Sequence, residues 1–223
     1  IKVVRSYVHQ ALEGLLYLHD HHIWHRDIKG ANILVTEDGV IKLADFGTSE
    51  KLKKEDNGAF SATNNNTTAG TPLFMAPEAM LDPKSVDGLK ADIWSIGATT
   101  LQMCTGNPPW KEHNFSNFMQ LMLFVAKDDS IPKIDEQLPP ALRDFIGMCF
   151  RRNPPSSRPS ARQLLTHPFF GKTSNNCGRR GTPLMLKPIG DGNSGGSSSG
   201  DNGIDNSIKT ASQAGVTKLT FRK

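Results

Sequence analysis

Apolar side chains recur at helical spacing through the first part of the chain. They share one face of a helix: Val4, Tyr7, Val8, Ala11, Leu12, Leu15, Leu16 and Leu18. Apolar residues at positions i, i+3, i+4 and i+7 form a stripe that packs against a core. The pattern therefore predicts an amphipathic helix over residues 1–19.

A second long pattern covers residues 87–106, which are apolar on nearly every side and so predict a helix buried at the centre of the domain. Gly106 is placed to end it, because glycine adopts the left-handed backbone of a helix C-terminus without strain. Shorter helical patterns cover 115–127, 139–150 and 160–166, and prolines separate them. We expect a mainly helical fold.

Two short apolar runs lie between the first two long helices. The segments "NILV" (32–35) and "VIKLA" (40–44) flank the turn sequence "TEDG", and two such runs joined by a tight turn are typical of a β-hairpin. Residues 48–70 are polar and predict a long loop. The whole pattern indicates a mainly α fold with a small β-hairpin.

The composition separates a globular body from a polar tail. Of the 223 residues, 37% are hydrophobic and 22% charged, as in a globular protein that carries a polar segment. From residue 171 onward the chain is rich in Gly, Ser and Asn, too poor in apolar side chains to offset the entropy of ordering. We therefore expect a folded domain over 1–170 and a disordered basic tail over 171–223.

Charge and cysteine usage exclude several classes of protein. From Lys172 onward, eight Lys and Arg face three Asp, so the positive excess lies in the tail and the body lacks the imbalance of a nucleic-acid-binding domain. No apolar run is long enough to span a membrane, and no signal-peptide pattern opens the chain. The three cysteines have no metal-ligand spacing and cannot all pair. These features favour a reducing, cytoplasmic location.

Oxygen-bearing side chains stand at both open ends of the predicted hairpin. Asn32 precedes the first strand and Asp45 follows the second. Antiparallel pairing brings these ends together, and an amide oxygen beside a carboxylate, with room for water and phosphate, suits Mg²⁺. Asp27 lies on the loop that enters the hairpin and can face the same volume as a base near a bound phosphate.

These residues resemble the motifs of a protein kinase. His25-Arg26-Asp27 with Asn32, Asp45-Phe46-Gly47 and Ala76-Pro77-Glu78 resemble its catalytic loop, its metal-binding loop and the end of its activation segment. The segments "DIWSIG" and "NPPSSRPSA" follow in the expected order. The resemblance covers residues 1–170 and implies the helical C-lobe of the α+β kinase fold.

The resemblance implies a role for each motif residue. Asp27 would be the base that accepts the substrate hydroxyl proton, and Asn32 and Asp45 would hold Mg²⁺ beside ATP. Lys29 would neutralise the transferred phosphoryl group, which favours serine and threonine substrates, and Thr71 would support the geometry of Asp27 and Lys29.

Other positions are implied to be regulatory or structural. Arg26 would bind a phosphate, since a guanidinium matches phosphate oxygens bidentately and no acidic partner is obvious nearby in sequence. The phosphate would sit on Thr67 or Thr68, added by an upstream kinase or by autophosphorylation, with Thr71 a weaker candidate. Alternatively, residues 64–68 are only a solvated loop. Three residues would be structural. Asp92 would anchor the catalytic loop, and Glu78 and Arg158 would form a buried ion pair.

Finer wording is most similar to the MAP kinase kinase kinases, notably "HRDIKGANILV", "GTPLFMAPE" and "CFRRNPPSSRPSARQLLTHPFF". This similarity implies protein substrates that are themselves kinases. Only 24 residues precede His25, too few for the strand-rich N-terminal lobe with its glycine-rich loop and ATP-binding lysine. We therefore expect a fragment that is inactive alone. The alternative is a non-catalytic docking module that binds partner kinases.

Overall fold

The structure, a computed structural model, describes residues 1–54, 60–61, 70–82, 86–127, 130–171 and 216–219. Helices dominate these residues. In chain order they are α1 (Lys2–Asp20), α2 (Pro77–Leu81), α3 (Gly88–Thr105), α4 (Phe118–Lys127), α5 (Pro140–Cys149) and α6 (Ala161–Leu165). The strands are short: β1 (Ile23–Trp24), β2 (Ile33–Thr36), β3 (Ile41–Leu43), β4 (Glu50–Lys51), β5 (Lys53–Lys54), β6 (Phe60–Ser61) and β7 (Val216–Lys218).

The five helices predicted from periodicity are confirmed to within a few residues. The central helix α3 begins after Asp87, whose side chain accepts the backbone N–H groups of Leu89 and Lys90, as a helix N-cap does. It ends at Gly106, which has a left-handed φ of 73°. α2 was not predicted, because five residues hold too little periodicity to signal a helix.

α3 forms the axis of the lobe. It packs against α5 on one side and against α1 on another. Trp94 of α3 is fully buried, and its ring lies 4.8 Å from that of Phe150. The apolar stripe of α1 is buried as its pattern predicts, with Leu12 and Leu15 at 0% exposure.

The predicted hairpin is confirmed as the antiparallel pair β2–β3, in which Ile33 lies opposite Leu43 and Val35 opposite Ile41. The turn closes where Thr36 donates its N–H to the carbonyl of Val40 at 2.9 Å. The ladder continues one step at the open end, because the N–H of Ala44 donates to the carbonyl of Asn32 at 2.9 Å. The two candidate magnesium ligands thus stand at the same end of one sheet.

The expectation of an unbroken loop over 48–70 is wrong in part. β4 pairs antiparallel with β1, and β5 pairs with β6. Between them Leu52 is buried, at 5% exposure, and contributes to the core. Two-residue strands carry no alternation of apolar and polar side chains, so the polar sequence concealed them.

The tail departs from the expected disorder in one segment. β7 adds a third strand to the hairpin, in the order β3–β2–β7, and runs antiparallel to β2. "VTK" pairs there because the β2 edge offers backbone partners and Leu219, just beyond β7, packs against the core. Residues 172–215 lie outside the described part of the chain.

In the part of the chain that the structure describes, no helix combines the length and the apolar character needed to cross a membrane.

Candidate active site

A single buried carboxylate fixes the loop between β1 and β2 to the central helix. Asp92 of α3 is 1% exposed and accepts the backbone N–H groups of His25 and Arg26 at 2.9 and 3.1 Å. The Nε2 atom of His19 lies 3.1 Å from the same carboxylate. An unpaired carboxylate at this depth would be costly, and these donors remove that cost while they hold Arg26 at a left-handed φ of 72°. This is the anchoring contact predicted for Asp92.

Asp27 lies at the centre of a hydrogen-bond network. One carboxylate oxygen, Oδ1, accepts the backbone N–H of Thr71 at 2.9 Å and its hydroxyl at 2.7 Å. The other, Oδ2, accepts from Nζ of Lys29 at 2.7 Å and from Nδ2 of Asn32 at 2.8 Å. Nζ of Lys29 also reaches Oγ1 of Thr71, at 2.6 Å. The structure thus brings Thr71, 44 positions away from Asp27, to three residues of the 27–32 loop.

This network sets the charge of Asp27. Burial of the carboxylate pushes its pKa upward, but hydrogen bonds from Lys29, Thr71 and Asn32, together with the positive charge of Lys29, outweigh burial. The net result is a pKa below the ordinary value of 3.8. Asp27 is therefore an anion at neutral pH, as an acceptor of hydrogen bonds and protons must be.

Asn32 and Asp45 fit the requirements of a magnesium site. Both donor contacts of the Asn32 amide nitrogen go to Asp27, to its carboxylate and its backbone carbonyl at 2.8 Å each, so Oδ1 is the atom left for a cation. Asp45 is exposed, with a left-handed φ of 65°. No group of three or more His, Cys, Asp or Glu that could hold a metal occurs in the described residues. A magnesium ion held by one amide oxygen and one carboxylate would have room for water and phosphate oxygens as further ligands.

The residues after Asp45 pack under the 25–32 loop. The ring of Phe46 lies 5.1 Å from that of His25, which is completely buried. The hydroxyls of Thr48 and Ser49 donate to the carbonyl of His25 at 3.4 and 3.3 Å. His25 therefore acts as a packing residue between the two segments, while Phe46 remains 47% exposed on its other side.

Arg26 has an acidic partner that the sequence did not suggest. Its guanidinium Nη1 lies 2.9 Å from Oε2 of Glu50, and both side chains are buried, with 7% and 6% exposure. The guanidinium also lies over the ring of Trp24, 4.4 Å from its centroid. No acidic partner of Arg26 is obvious nearby in the sequence. In the structure, however, the pairing of β1 with β4 places Glu50 opposite Trp24 and so close to Arg26.

The predicted phosphorylation sites Thr67 and Thr68 lie outside the described residues. Thr71, the weaker candidate, is described, and its hydroxyl is engaged by Asp27 and Lys29. The carboxylate of Glu50 is therefore the negative group that the structure places against Arg26.

Glu78 and Arg158 form a bidentate ion pair beneath the site. Nη1 of Arg158 donates to Oε1 of Glu78 at 2.5 Å and Nη2 donates to Oε2 at 2.9 Å. The Arg158 side chain has no exposed surface, and its remaining donors reach the carbonyls of Arg151 and Lys90 at 2.7 and 3.0 Å. A buried charge needs this degree of pairing. The pair joins α2 to the loop before α6.

Two residues on α3 contribute to the site and were missed. The hydroxyl of Ser95 donates to the carbonyl of Phe74 at 2.8 Å, and that of Thr99 donates to the carbonyl of Ile28 at 3.4 Å. They follow Asp92 by three and seven residues, on one helix face. A polar stripe of that spacing in an otherwise apolar helix is the signal that could have revealed them.

The mainly helical lobe with its small hairpin has the expected fold, and comparison with known proteins agrees with it. The family model described as "Protein kinase domain" matches residues 1–170. The chain belongs to the protein kinase family.

Among its relatives are mitogen-activated protein kinase kinase kinases. Mitogen-activated protein kinase kinase kinase 3 of Arabidopsis thaliana is 45% identical over 169 residues, which cover 75% of this chain and 24% of the relative. Mitogen-activated protein kinase kinase kinase A of Dictyostelium discoideum is 40% identical over 174 residues, 78% of this chain and 17% of the relative. MAP kinase kinase kinase wis4 of Schizosaccharomyces pombe is 44% identical over 178 residues, 75% and 12% respectively.

Within the protein kinase family, the chain is thus similar to MAP kinase kinase kinases. It spans about a quarter or less of the length of these three relatives.

Proposed function

We propose that the described lobe carries the phosphoryl-transfer residues of a serine/threonine kinase that uses ATP and Mg²⁺ to phosphorylate other kinases in a MAP kinase cascade. The observation that carries this proposal is the joint contact of Lys29 and Thr71 with Asp27. It fixes a buried carboxylate and a partly exposed ammonium side by side.

Asp27 would accept the proton of the substrate hydroxyl. Its position is set by Thr71, which holds Oδ1 through two hydrogen bonds, and its anionic state is maintained by the network. Lys29, partly exposed beside it, would offset negative charge on the transferred group. A serine or threonine hydroxyl presented to Asp27 thus meets a base and a cation in one fixed geometry.

Asn32 and Asp45 would hold Mg²⁺ through one amide oxygen and one carboxylate. When bound, the ion supplies positive charge to the phosphate oxygens. The hydrogen bonds from Asn32 to Asp27 keep the amide oriented, so the two functions share one rigid unit.

We further propose that regulation acts through Arg26. A phosphate on Thr67 or Thr68, added by an upstream kinase or by the protein itself, would compete with Glu50 for the guanidinium. The test is phosphosite mapping of the active protein in cells, with Thr67→Ala and Thr68→Ala tested singly and together. Full activity of the double variant would show that these residues are not the switch. Such a kinase would act in the cytoplasm.

A docking module is the second candidate, and one observation favours it. The helix α4 exposes apolar side chains, including Met119 at 54% and Leu123 at 56%, which is unusual for a surface helix without a partner. Binding of partner kinases that survives the loss of Asp27 and Asp45 would support this alternative.

The decisive experiment separates the roles of two carboxylates in the longest natural polypeptide that contains this chain. Asp27→Asn should abolish turnover and leave the affinity for Mg·ATP largely intact, because Asp27 faces the hydroxyl. Asp45→Asn should weaken Mg·ATP binding, because it removes a charged ligand. Nucleotide affinity and turnover are measured for both variants, with Glu37→Gln, an exposed acid on the hairpin turn, as the control. Equal effects of the two site variants on nucleotide affinity would refute the assignment.

A further inference from the structure

The tail segment at residues 216–219 lies along the free edge of the hairpin. Leu34 stands opposite Lys218 and Val35 opposite Thr217. One residue beyond the strand, the N–H of Leu219 donates to the carbonyl of Ile33 at 3.1 Å, and the side chain of Leu219 is half-buried against the core. The segment therefore contributes both backbone pairing and apolar contact.

This edge is adjacent to the candidate active site. β2 begins at Ile33, directly after Asn32, and β7 also contacts the turn Gly30–Asn32. On its other side β2 is paired with β3, which leads to Asp45. The tail strand is thus seated on the strand that carries one candidate magnesium ligand.

The antiparallel ladder determines which backbone groups need the tail. In such a ladder the N–H groups of alternate residues point to opposite neighbours. The N–H groups of Leu34 and Thr36 point toward β3, so the carbonyls of Ile33 and Val35 and the N–H of Val35 point toward β7, as the bond from Leu219 to the carbonyl of Ile33 indicates. The N–H of Ile33 donates instead to the carbonyl of Gly30. Without β7 the groups that face it would form an unpaired strand edge, which is a template for another strand.

We propose that the β2 edge is a strand-docking site whose occupant is residues 216–219 of the same chain. The occupant must be an extended segment with a backbone N–H at position 217 and an apolar side chain at position 219. Extended peptides bind sheet edges in this way, with main-chain bonds for affinity and alternate side chains for specificity.

Tethering explains why so short a strand can dock. Residues 172–215 connect Gly171 to Val216 and, fully extended, would reach about 145 Å, so their length does not prevent docking in cis. A tethered segment reaches an effective concentration of about 1 mM. A strand with weak intrinsic affinity therefore occupies its own edge.

The test compares two proline variants of the full 223-residue chain by amide hydrogen exchange. Proline removes a backbone N–H. Position 217 uses that N–H toward β2 and position 218 points it away, so Thr217→Pro should release the strand while Lys218→Pro is the matched control. We expect the amide of Val35 to exchange at least about tenfold faster in Thr217→Pro only, while the amide of Ile33, bonded to Gly30, reports on the turn.

Two further readouts make the result decisive. The amides of Leu34 and Thr36, which face β3, should remain protected in every variant and so report that the hairpin is folded. A synthetic peptide of residues 214–223 added to Thr217→Pro should restore protection at Val35, and the same peptide with Thr217→Pro should not. Equal exchange at Val35 in the unmodified chain and in Thr217→Pro would overturn the proposal. The test uses no nucleotide, so its outcome is independent of the proposed phosphotransfer.

Discussion

At the scale of the residue, Asp92 shows how much one buried carboxylate can organise. It receives two backbone N–H groups and lies against His19, all from segments far away in sequence. Its loss would leave three polar groups unpaired in the interior. The residue is therefore important for stability as well as for the shape of the 25–32 loop.

We expect Asp92→Ala to lower the free energy of unfolding by about 3–5 kcal/mol, because a buried polar network loses its acceptor. The matched control is Asp20→Ala, which removes the surface ion pair with Arg162 at 2.9 Å and should cost about 0–1 kcal/mol. Urea unfolding followed by circular dichroism measures both. Similar costs for the two variants would contradict the anchoring role.

Asp27 should make stability depend on pH. Its pKa in the folded state lies below the ordinary value of 3.8, so its contribution is fully present above pH about 4 and is lost as the pH falls through the folded pKa. Unfolding free energies at pH 7 and pH 3 should therefore differ less in Asp27→Asn than in the unmodified chain. Glu37→Gln serves as the control and should keep the full difference; an Asp27→Asn variant that also keeps it would show that the network does not hold the anion.

The sequence predicts which residues meet at the site better than it predicts their partners. Asp27, Asn32 and Thr71 belong to motifs whose order along the chain predicts that they lie in one site. Glu50 belongs to no motif, and only the pairing of β1 with β4 brings it to Arg26. Contacts that depend on two-residue strands cannot be read from side-chain patterns, because such strands have no period.

At the scale of the element, the packing of α3 depends on how closely α5 approaches it. Gly97 lies where α5 crosses, and a β-carbon added there would stand 2.5 Å from Cβ of Cys149 and 3.2 Å from the ring of Phe150. Burial raises the pKa of the Cys149 thiol, so the neutral thiol packs as a small apolar group. The absence of a side chain at Gly97 thus sets the distance between the two helices.

Gly97→Ala should destabilise the lobe by about 1–3 kcal/mol, because overpacking outweighs the roughly 1 kcal/mol gained from the better helix propensity of alanine. Gly147→Ala in α5 is the matched control, since nothing lies within 4 Å of the added β-carbon. It should stabilise the lobe by about 0.5–1 kcal/mol. Thermal unfolding distinguishes the two signs, and stabilisation by both substitutions would disprove the close approach.

Long elements were predicted well because several signals coincide in them. The apolar pattern of α3 predicts both of its ends. Asp87 marks the same start as a cap, and Gly106 marks the same end. β7 has none of these. β7 pairs with the edge of β2, and the local sequence of the tail carries no pattern that predicts this pairing.

At the scale of the whole molecule, large apolar side chains remain partly exposed to solvent beside the candidate site. Phe46 is 47% exposed although its ring rests on His25, and Leu34 is only half-buried beside Asn32. Large apolar side chains so close to a candidate nucleotide site favour contact with a second body. If the proposed function holds, the described residues would supply one side of an ATP site.

We expect the 223-residue chain alone to transfer negligible phosphate, because ATP would lack contacts on its other side. The measurement is phosphorylation of a generic serine/threonine protein substrate by the purified chain with Mg·ATP, with Asp27→Asn as the blank. Robust activity above that blank would sink this expectation.

The packing of α1 against α6 has a consequence for how the lobe is made. Leu12 and Leu15 are fully buried, and His9 stacks its ring edge on Phe170 at 5.1 Å, so the first helix is completed by residues about 150 positions later. At a synthesis rate of about 5–20 residues per second, roughly 8–30 s separate the two on the ribosome. During that interval α1 can pack only on its earlier partners, among them β3 and α3, and the face that meets α6 stays uncovered. We therefore expect the packing of the lobe to be completed only after residue 170 has left the exit tunnel.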